Sequence, residues 1–259
     1  MILDNILDRR REQLEHEKYI CSPADMKARA ADAAFSHMSF SAAIKKNTLS
    51  VISEVKKASP SKGLICENFD PVCIAVQYEK NGAEAISCLT EEYYFQGSSE
   101  FLAEIRKKVN IPILRKDFIF DEYQIYEAKV IGANAVLLIS AVLSAAQMKE
   151  FSELSHQLGL ECLVEVHNEA EYEKTSGFTP DMLGVNNRDL NTFEVDLETT
   201  GRLRGIIGEQ SVLVSESGIR NNSDMKKARS LGADAVLIGE TLMRSRDIGQ
   251  TLSELRRGV

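Results

Sequence analysis

A short apolar run in this sequence, residues 111–114, ends abruptly in Arg115, Lys116 and Asp117. A buried strand excludes charge from its middle, but its end can place one long cation in a cleft. We therefore predict that Lys116 is a functional cation in such a cleft. We also expect the other strands of the chain to converge on it.

Polar residues also stand at the ends of four other apolar runs: Glu54 and Lys56, Glu165, Asn186 and Arg188, and Glu216. By the two-residue period of a strand, Glu54 and Lys56 share a face with Ile52, Lys116 with Leu114, and Glu165 with Leu163. A single charged strand end is usually just solvated, but equivalent positions on five strands indicate one site. Opposite charges in a partly dry cleft shift one another's pKa values toward the working pH. The set therefore predicts general acid and base catalysis.

Three glycine-containing loops indicate a phosphate site beside these charges. One reads Ser-Pro-Ser-Lys-Gly over residues 59–63, and the others carry Gly218 and Gly239 after the seventh and eighth runs. In parallel barrels the loops after strands 7 and 8 expose backbone N–H groups near a helix N-terminus and usually hold phosphate. One such loop alone would be an ordinary turn, but the three together favour a phosphorylated substrate.

Alternating strands and helices are needed to bring these residues together. Eight predicted strands cover residues 49–55, 85–89, 111–114, 135–139, 161–166, 182–185, 212–214 and 235–238, with helix candidates between them. Parallel strands need crossover connections, and closing eight of them into a barrel removes both sheet edges. The predicted fold class is α/β, a (β/α)8 TIM barrel with a helical N-terminal extension; an open doubly wound sheet is the alternative.

Three similar segments support repeated βα units. Gly82, Gly132 and Gly232 each stand in a Gly-Ala-x-Ala sequence before a predicted strand, although Gly-Ala is also a common helix-to-strand connection. Residues 1–48 instead look helical and contain no convincing strand. We expect one TIM-barrel domain over residues 1–259, in which residues 1–48 are the extension and residues 49–259 form the eight βα units.

Composition excludes several classes of protein. The net charge of -8 argues against a broad nucleic-acid or anionic-membrane surface, but a local basic cluster can still bind a small anion. The five cysteines are odd in number and lack Cys-x-x-Cys spacing, which favours unpaired thiols in a reducing cytoplasm. No apolar run approaches the ~18 residues of a membrane span. We expect a cytoplasmic protein that is a monomer or a weak homodimer.

Metal and cofactor motifs are not evident. The histidines are His16, His37, His156 and His167, without His-x-x-x-His spacing, and we expect most of them to be surface or packing residues. His167 follows Glu165 closely enough to lie near the site. The sequence shows no GxGxxG, P-loop or Ser-His-Asp arrangement. It therefore predicts acid and base chemistry on a phosphorylated metabolite without a metal or cofactor.

Five motifs resemble the indole-3-glycerol phosphate synthase family of tryptophan biosynthesis, and the resemblance covers essentially the whole chain. They are SEVKKASPS at residues 53–61, ILRKDFI at 113–119, LVEVH at 163–167, GVNNRDL at 184–190 and SESGI at 215–219. The fourth motif and Arg115-Lys116-Asp117-Phe118 are highly specific, whereas the glycine loops occur in many barrels. The resemblance also implies that the N-terminal extension covers the barrel mouth and helps to hold the substrate.

The reaction implied by this resemblance converts 1-(o-carboxyphenylamino)-1-deoxyribulose 5-phosphate into indole-3-glycerol phosphate by ring closure, decarboxylation and dehydration. Lys116 would be the general acid of ring closure, and Glu165 the general base of dehydration. Lys56 would assist proton transfer and bind the substrate carboxylate or phosphate side, while Glu54 would tune the lysines. The implied substrate-binding residues are Asn186, Arg188 and Glu216 for the hydroxyls and the anthranilate, and Ser59, Ser217, Gly218 and Gly239 for the phosphate.

Two positions depart from what this chemistry would favour. Glu240 follows Gly239, and a carboxylate facing phosphate would repel it, so we expect its main-chain N–H to face the phosphate and its side chain to face solvent. The sequence also contains no Trp. Phe95, Phe118 and aliphatic side chains would then pack against the anthranilate ring.

Three other functions remain compatible with parts of the sequence. A phosphoribosylanthranilate isomerase would use a Cys or Asp pair at strand ends and would not need residues 1–48. A Schiff-base aldolase would use Lys116 or Lys56 as its nucleophile. A catalytically silent barrel could serve as a binding or assembly subunit, but the complete charged set argues against it.

Overall fold

The computed structural model describes residues 2–34, 38–189, 192–209 and 211–259, so His37 and Leu190 lie outside the described residues. The strands are β1 (Ser50–Val55), β2 (Ala58–Ser59), β3 (Gly63–Leu64), β4 (Ala85–Leu89), β5 (Ile113–Lys116), β6 (Ala135–Ile139), β7 (Glu161–Val166), β8 (Met182–Asn186), β9 (Val212–Glu216) and β10 (Ala235–Ile238). The order β1-β10-β9-β8-β7-β6-β5-β4 closes into a parallel barrel, and β2 pairs with β3 outside it. The predicted TIM barrel is confirmed.

Helices precede the barrel and alternate with its strands. They are α1 (Ile2–Ile20), α2 (Pro23–Asp32), α3 (Phe40–Ile44), α4 (Pro71–Lys80), α5 (Ser99–Arg106), α6 (Glu122–Val130), α7 (Ala145–Gln157), α8 (Glu169–Glu173), α9 (Glu198–Ile207), α10 (Asn222–Ser230), α11 (Glu240–Met243) and α12 (Ile248–Leu255). Side-chain caps fix several starts; Asp121 and Asn221, for example, each form a capping box.

Polar residues extend three of the barrel strands beyond their predicted ends. β5 runs to Lys116, which lies opposite Leu89, and Asn186 of β8 pairs in register with Glu216 of β9. The backbone ladder continues there because each strand has a paired neighbour, whatever its side chains are. At its start, β5 is shorter than predicted because Pro112 has no N–H to donate. The β2–β3 pair and α11 were not predicted.

Alternation along the strands separates two buried layers. One layer fills the barrel interior, and it includes Ile52, Leu114, Leu163 and Val214. The other packs beneath the helices. Because side chains repeat every two residues, the position after each of these four interior residues on the same face is Glu54, Lys116, Glu165 and Glu216. The core therefore aims the charged residues at the C-terminal mouth.

The opposite end of the barrel is filled by α3. Phe40 and Ile44 are fully buried and belong to the same interior cluster as the first residues of several strands. Glu161, the first residue of β7, accepts hydrogen bonds from Ser39 Oγ and the Ser41 backbone N, each 2.6 Å long. The segment just before β1 thus closes the end of the barrel that lies away from the mouth.

Replacing Phe40 by alanine should lower the free energy of unfolding by about 3–5 kcal/mol, because the lost ring leaves a cavity in a closed interior. The KM should stay unchanged, since the residue lies at the end opposite the mouth. Urea denaturation and steady-state kinetics measure both quantities. Tyr19→Ala is the matched control, as Tyr19 is 89% exposed. A raised KM with unchanged stability would contradict this role for α3.

Helix α1 is joined to the barrel by a buried ion network. Arg10 is fully buried, and its Nε and Nη2 donate to the Asp117 carboxylate over 3.1 Å each. Asp117 Oδ2 also accepts from Arg115 Nη2 at 3.0 Å and from Thr90 Oγ1 at 2.8 Å. Buried charges persist only when they are paired in this way. The network holds α1 against the residues on either side of Lys116.

Candidate active site

A cavity of about 680 Å³ opens at the C-terminal ends of the barrel strands. Each site residue named from the sequence lines it: Glu54, Lys56, Ser59, Lys116, Glu165, Asn186, Arg188, Glu216, Ser217, Gly218 and Gly239. Ile2, Leu3 and Ile6 of α1 line it as well. The polar residues predicted on five barrel strands thus meet in one cavity, beside the N-terminal helix.

Lys116 lies at the centre of the charged group. Its Nζ is 3.3 Å from Glu165 Oε2 and 3.4 Å from Glu216 Oε2. The side chain of Lys116 is 16% exposed, whereas those of Glu165 and Glu216 are 4% and 2% exposed. One ammonium therefore stands between two carboxyl groups that are almost out of contact with water.

The expectation that the pKa values of these groups shift toward the working pH is wrong for Lys116 and Glu165, because opposite charges stabilise each other's charged forms. Burial acts to lower the pKa of Lys116, but the carboxylates of Glu165, Glu216 and Glu54 outweigh it and raise that pKa. Burial acts to raise the pKa of Glu165, but Lys116 and His167 outweigh it and lower that pKa. For Glu216, burial prevails over Lys116, and the neighbouring carboxylates add to it, so its pKa rises to about 8. Near neutral pH, Lys116 is cationic, Glu165 ionised and Glu216 protonated.

Glycines on neighbouring strands make room for two of the carboxyl groups. Glu54 forms an ion pair with Lys56, and a Cβ added at Gly239 would overlap the Glu54 carboxylate. A Cβ added at Gly184 would overlap Glu216 Oε1 in the same way. Both glycines are required because these side chains cross the backbone of the adjacent strand closely.

Asn186 connects Glu165 to the loop after β9. Its Nδ2 donates to Glu165 Oε1 over 3.3 Å, and its Oδ1 accepts from Ser217 Oγ at 2.9 Å. The same Oδ1 accepts from the Arg188 backbone N at 3.1 Å. The Arg188 guanidinium donates to the Phe193 carbonyl at 3.2 Å, which holds the loop after β8 across the mouth.

Asn187 is a residue of this site that the sequence analysis quoted but did not interpret. Its Nδ2 donates to Ser215 Oγ, to the Glu216 carbonyl and to the Ser217 carbonyl at 2.9, 3.0 and 3.1 Å. Ser217 has a φ of 66°, a left-handed conformation that costs free energy in a residue other than glycine. The buried Asn187 amide therefore stabilises a strained turn that presents Glu216 and Ser217.

Basic side chains cluster near the three predicted phosphate loops. Lys62, Arg220 and Arg244 line the cavity together with Ser59, Gly218 and Gly239. Arg220 and Arg244 were not predicted as site residues from the sequence. Arg220 could have been found from its place two residues after the Ser217-Gly218 turn. Arg244 could be predicted as a site residue only if helix α11 were known, because this helix places Arg244 one turn beyond Glu240.

The Glu240 side chain lies at the rim of the cavity, where it is partly exposed to solvent and also paired with cations. Its Oε1 accepts from Arg244 Nε at 3.1 Å and lies 4.0 Å from Lys62 Nζ, and its side chain is 35% exposed. The carboxylate is attracted to two cations that line the same cavity. It can therefore hold these cations in place at the rim rather than oppose a bound anion.

Aromatic side chains line the side of the cavity near β4 and β5. The rings of Phe95 and Phe118 lie with centroids 6.1 Å apart, and both line the cavity. The buried Glu91 carboxylate accepts backbone N–H groups from Tyr93, Tyr94 and Phe95 at 2.8–3.0 Å. This folded loop fixes Phe95 at the mouth.

Folding stability should fall as the pH rises from 4.5 to about 8, because the folded protein keeps the Glu216 proton that the unfolded chain has released. In Glu216→Gln, residue 216 no longer titrates. The melting temperature of this variant should therefore decline less between pH 4.5 and pH 8 than that of the unchanged protein. Calorimetry at pH 5, 6, 7 and 8 measures the difference. The exposed Glu209→Gln is the control. Equal pH slopes for Glu216→Gln and the unchanged protein would contradict a raised pKa at Glu216.

The described residues contain no group of three or more His, Cys, Asp or Glu side chains arranged to hold a metal ion. The five cysteines all fall within this part of the chain and are unpaired. Among the described helices, none has the length and apolar character to cross a membrane.

Comparison with known proteins gives a consistent result. The family model described as Indole-3-glycerol phosphate synthase matches residues 3–255. An indole-3-glycerol phosphate synthase from Alkaliphilus metalliredigens is 44% identical over 259 residues, which cover 100% of this chain and 99% of the relative. Another, from Ruminiclostridium cellulolyticum, is 48% identical over 257 residues and 99% of each chain.

Solved structures of other proteins share the fold. The N-acetylmannosamine-6-phosphate 2-epimerase from Clostridium perfringens has a TM-score of 0.63 at 14% identity, covering 86% of this chain and 99% of its own. The thiamine phosphate pyrophosphorylase from Pyrococcus furiosus has a TM-score of 0.59 at 17% identity, covering 83% and 96%. At these identities the likeness shows the barrel fold alone.

Proposed function

The chain belongs to the indole-3-glycerol phosphate synthase family, and on that premise we propose how its barrel mouth carries out the family's reaction. The activity is that of a carboxy-lyase in tryptophan biosynthesis, which forms indole-3-glycerol phosphate. The observation that carries the mechanism is the position of Lys116 between Glu165 and Glu216 in the cavity. The proposed substrate is 1-(o-carboxyphenylamino)-1-deoxyribulose 5-phosphate.

Lys116 is the general acid of ring closure in this proposal. The aromatic carbon that bears the carboxylate attacks the ketone carbon, and the ketone oxygen takes a proton from Lys116 as its negative charge develops. Loss of carbon dioxide then restores the aromatic ring. A general acid must start the step protonated, which is supported by the raised pKa of Lys116, where burial is outweighed by Glu165, Glu216 and Glu54.

Glu165 is the general base of the dehydration. Its lowered pKa, which Lys116 chiefly maintains against the effect of burial, leaves it ionised and ready to take a proton from the carbon beside the ring nitrogen. Lys56 gives a proton to the departing hydroxyl, and Glu54 holds the Lys56 ammonium through their ion pair. Asn186, Arg188 and Glu216 orient the substrate hydroxyls and the anthranilate.

The phosphate binds on the side of the cavity formed by Ser59, Ser217, Gly218 and Gly239. Backbone N–H groups at such loops bind anions, and the nearby Lys62, Arg220 and Arg244 supply positive charge. A protein with a net charge of -8 can thus attract an anionic substrate into one cleft. Phe95 and Phe118 supply the aromatic surface for the anthranilate ring.

Helix α1 covers part of the mouth and contributes apolar contacts to the substrate through Ile2, Leu3 and Ile6. Residues 1–48 are accordingly part of a single domain with residues 49–259 rather than a separate unit. We assign the protein to the cytoplasm, consistent with its unpaired cysteines. A monomer or a weak homodimer is the expected assembly.

The test is to mix the purified protein with the carboxyphenylamino-deoxyribulose phosphate, without added metal or cofactor, and to follow the absorbance of the indole. Formation of indole-3-glycerol phosphate is the expected result. Absence of indole under these conditions would contradict the proposal. Trapping of a covalent adduct at Lys116 or Lys56 by borohydride would instead favour Schiff-base chemistry.

A further inference from the structure

His167 lies directly behind the proposed base. It follows β7, and its Nε2 is 3.5 Å from Glu165 Oε1. Its Nδ1 is 2.9 Å from Glu171 Oε2, and its backbone N donates to the same oxygen over 2.9 Å. The side chain is 10% exposed, and among the described residues Glu165 lines the cavity whereas His167 does not. The imidazole is therefore placed to act through Glu165 rather than on the substrate.

The carboxylate of Glu171 determines which ring nitrogen carries the proton. An ionised carboxylate only accepts hydrogen bonds, so Nδ1 must be the donor in that contact. In the neutral ring, Nε2 then carries a lone pair that faces Glu165 Oε1. Two acceptors cannot bond each other, and within the described part of the chain Nε2 is a buried nitrogen without a hydrogen-bond partner. A hydrogen bond can form between them only when one proton is added to the pair.

We propose that His167 is neutral at the start of turnover, and that the proton which Glu165 removes from the substrate passes to His167 Nε2, where it is stored facing Glu165 Oε1. This inference rests on the proposed role of Glu165 as base. His167 is a positioning residue in this scheme, because it contacts neither the substrate nor the reacting atoms. Its ring is held in the required orientation by the contact between Nδ1 and Glu171 Oε2, and the backbone N of His167 fixes that carboxylate.

The protons that the protein donates and accepts balance over one turnover. The substrate C–H bond breaks, its electron pair forms the indole double bond, and the proton passes through Glu165 to Nε2. The resulting imidazolium keeps its other N–H on Glu171. The stored proton then returns through Glu165 to Lys116, 3.3 Å from Glu165 Oε2, which gave up a proton at ring closure. Lys56 regains its proton from solvent, so one proton is taken up for each carboxylate lost as carbon dioxide.

The charges around His167 favour the stored state. Burial acts to lower its pKa, but Glu171, Glu165 and Glu216 together outweigh burial and raise it. These carboxyl groups come from α8, β7 and β9, and the nearest cation to the pair is Lys116, which contacts Glu165. A proton on the imidazole is thus stabilised on both sides of the ring.

Two variants separate proton storage from orientation. In His167→Asn, the amide can still donate to Glu171 as Nδ1 does, but the side chain at position 167 is too short to reach Glu165. In His167→Gln, the amide N–H can reach Glu165 Oε1 and orient it, but it cannot take up a proton. Both should lower kcat by about 10²-fold with little change in KM, at the low end of what a proton-transfer group contributes. Both should also change the pH dependence of kcat near neutral pH.

The measurement is kcat and KM from pH 5.5 to 9 for the unchanged protein, the two His167 variants and Lys149→Ala, an exposed control on α7. Loss of kcat in both His167 variants with an altered pH profile supports the storage of a proton. Recovery of full kcat in His167→Gln alone would show that His167 only orients Glu165 and would overturn the inference. Full kcat in both variants would overturn it too, while leaving the proposed function untouched, because the unchanged protein would still form indole.

Discussion

Lys116→Ala is expected to lower kcat by at least ~10²–10⁴-fold, since general acid catalysis alone contributes that much and the lost positioning of the ketone adds to it. The fold should remain intact. Glu165 and Glu216 would lose their shared cation, but a buried carboxyl without a cation can take up a proton instead of unfolding the barrel. Circular dichroism and a urea midpoint at neutral pH would check the fold, and steady-state kinetics the activity.

The Lys116→Ala substitution should slow ring closure, which is the first step of the reaction. Carbon dioxide release and indole formation should therefore decrease together in Lys116→Ala, because decarboxylation requires the new carbon–carbon bond. Lys149→Ala removes a lysine from an exposed position on α7 and should keep full turnover. Near-native turnover of Lys116→Ala would show that another group is the acid.

Glu165→Gln should lower the rate of indole formation by ~10²–10⁴-fold, because the amide has the shape of the carboxyl group but cannot accept a proton from the substrate. The Glu165→Gln substitution should slow dehydration, the step that follows the loss of carbon dioxide. In a single turnover, carbon dioxide should thus appear well before indole, unlike in Lys116→Ala. Quenched-flow measurement of the two products distinguishes these cases.

Glu153→Gln is the control for this variant, since Glu153 is an exposed glutamate on α7 that pairs only loosely with Lys149. Its product formation should match that of the unchanged protein. Simultaneous loss of both products in Glu165→Gln would contradict the assignment of dehydration alone to Glu165, because Glu165 would then be needed for ring closure as well.

Strand periodicity was enough to predict which charged side chains line the same cavity. Leu114 and Lys116 share a face whatever the rest of the chain does, and so do Leu163 and Glu165. In a closed parallel barrel, the interior side chains at the C-terminal ends of all strands lie at the same open end. Hence local alternation and a correct fold class were sufficient to bring Lys116 and Glu165 into one cavity, although they are far apart in the sequence.

Other features depended on contacts that no local pattern encodes. Nothing in the sequence around Phe40 distinguishes a helix at the closed end of the barrel from one at the mouth. Arg244 reaches the cavity only through α11, a single helical turn too short to show periodicity. Glu240 was expected to face solvent because its partners Arg244 and Lys62 could not be foreseen. Contacts between distant parts of the chain decided the position of Phe40 and the pairing of Glu240 with Lys62.

The central claim is that Lys116 donates a proton to the ketone oxygen of a substrate whose phosphate lies at Gly218 and Gly239. A crystal structure with the substrate analogue in which this ketone is reduced to an alcohol tests it most directly. The expected result is a distance of about 2.7–3.2 Å between Lys116 Nζ and the alcohol oxygen, with the phosphate on the two glycine loops. An alcohol oxygen out of reach of Lys116 and bound by another side chain would contradict the account.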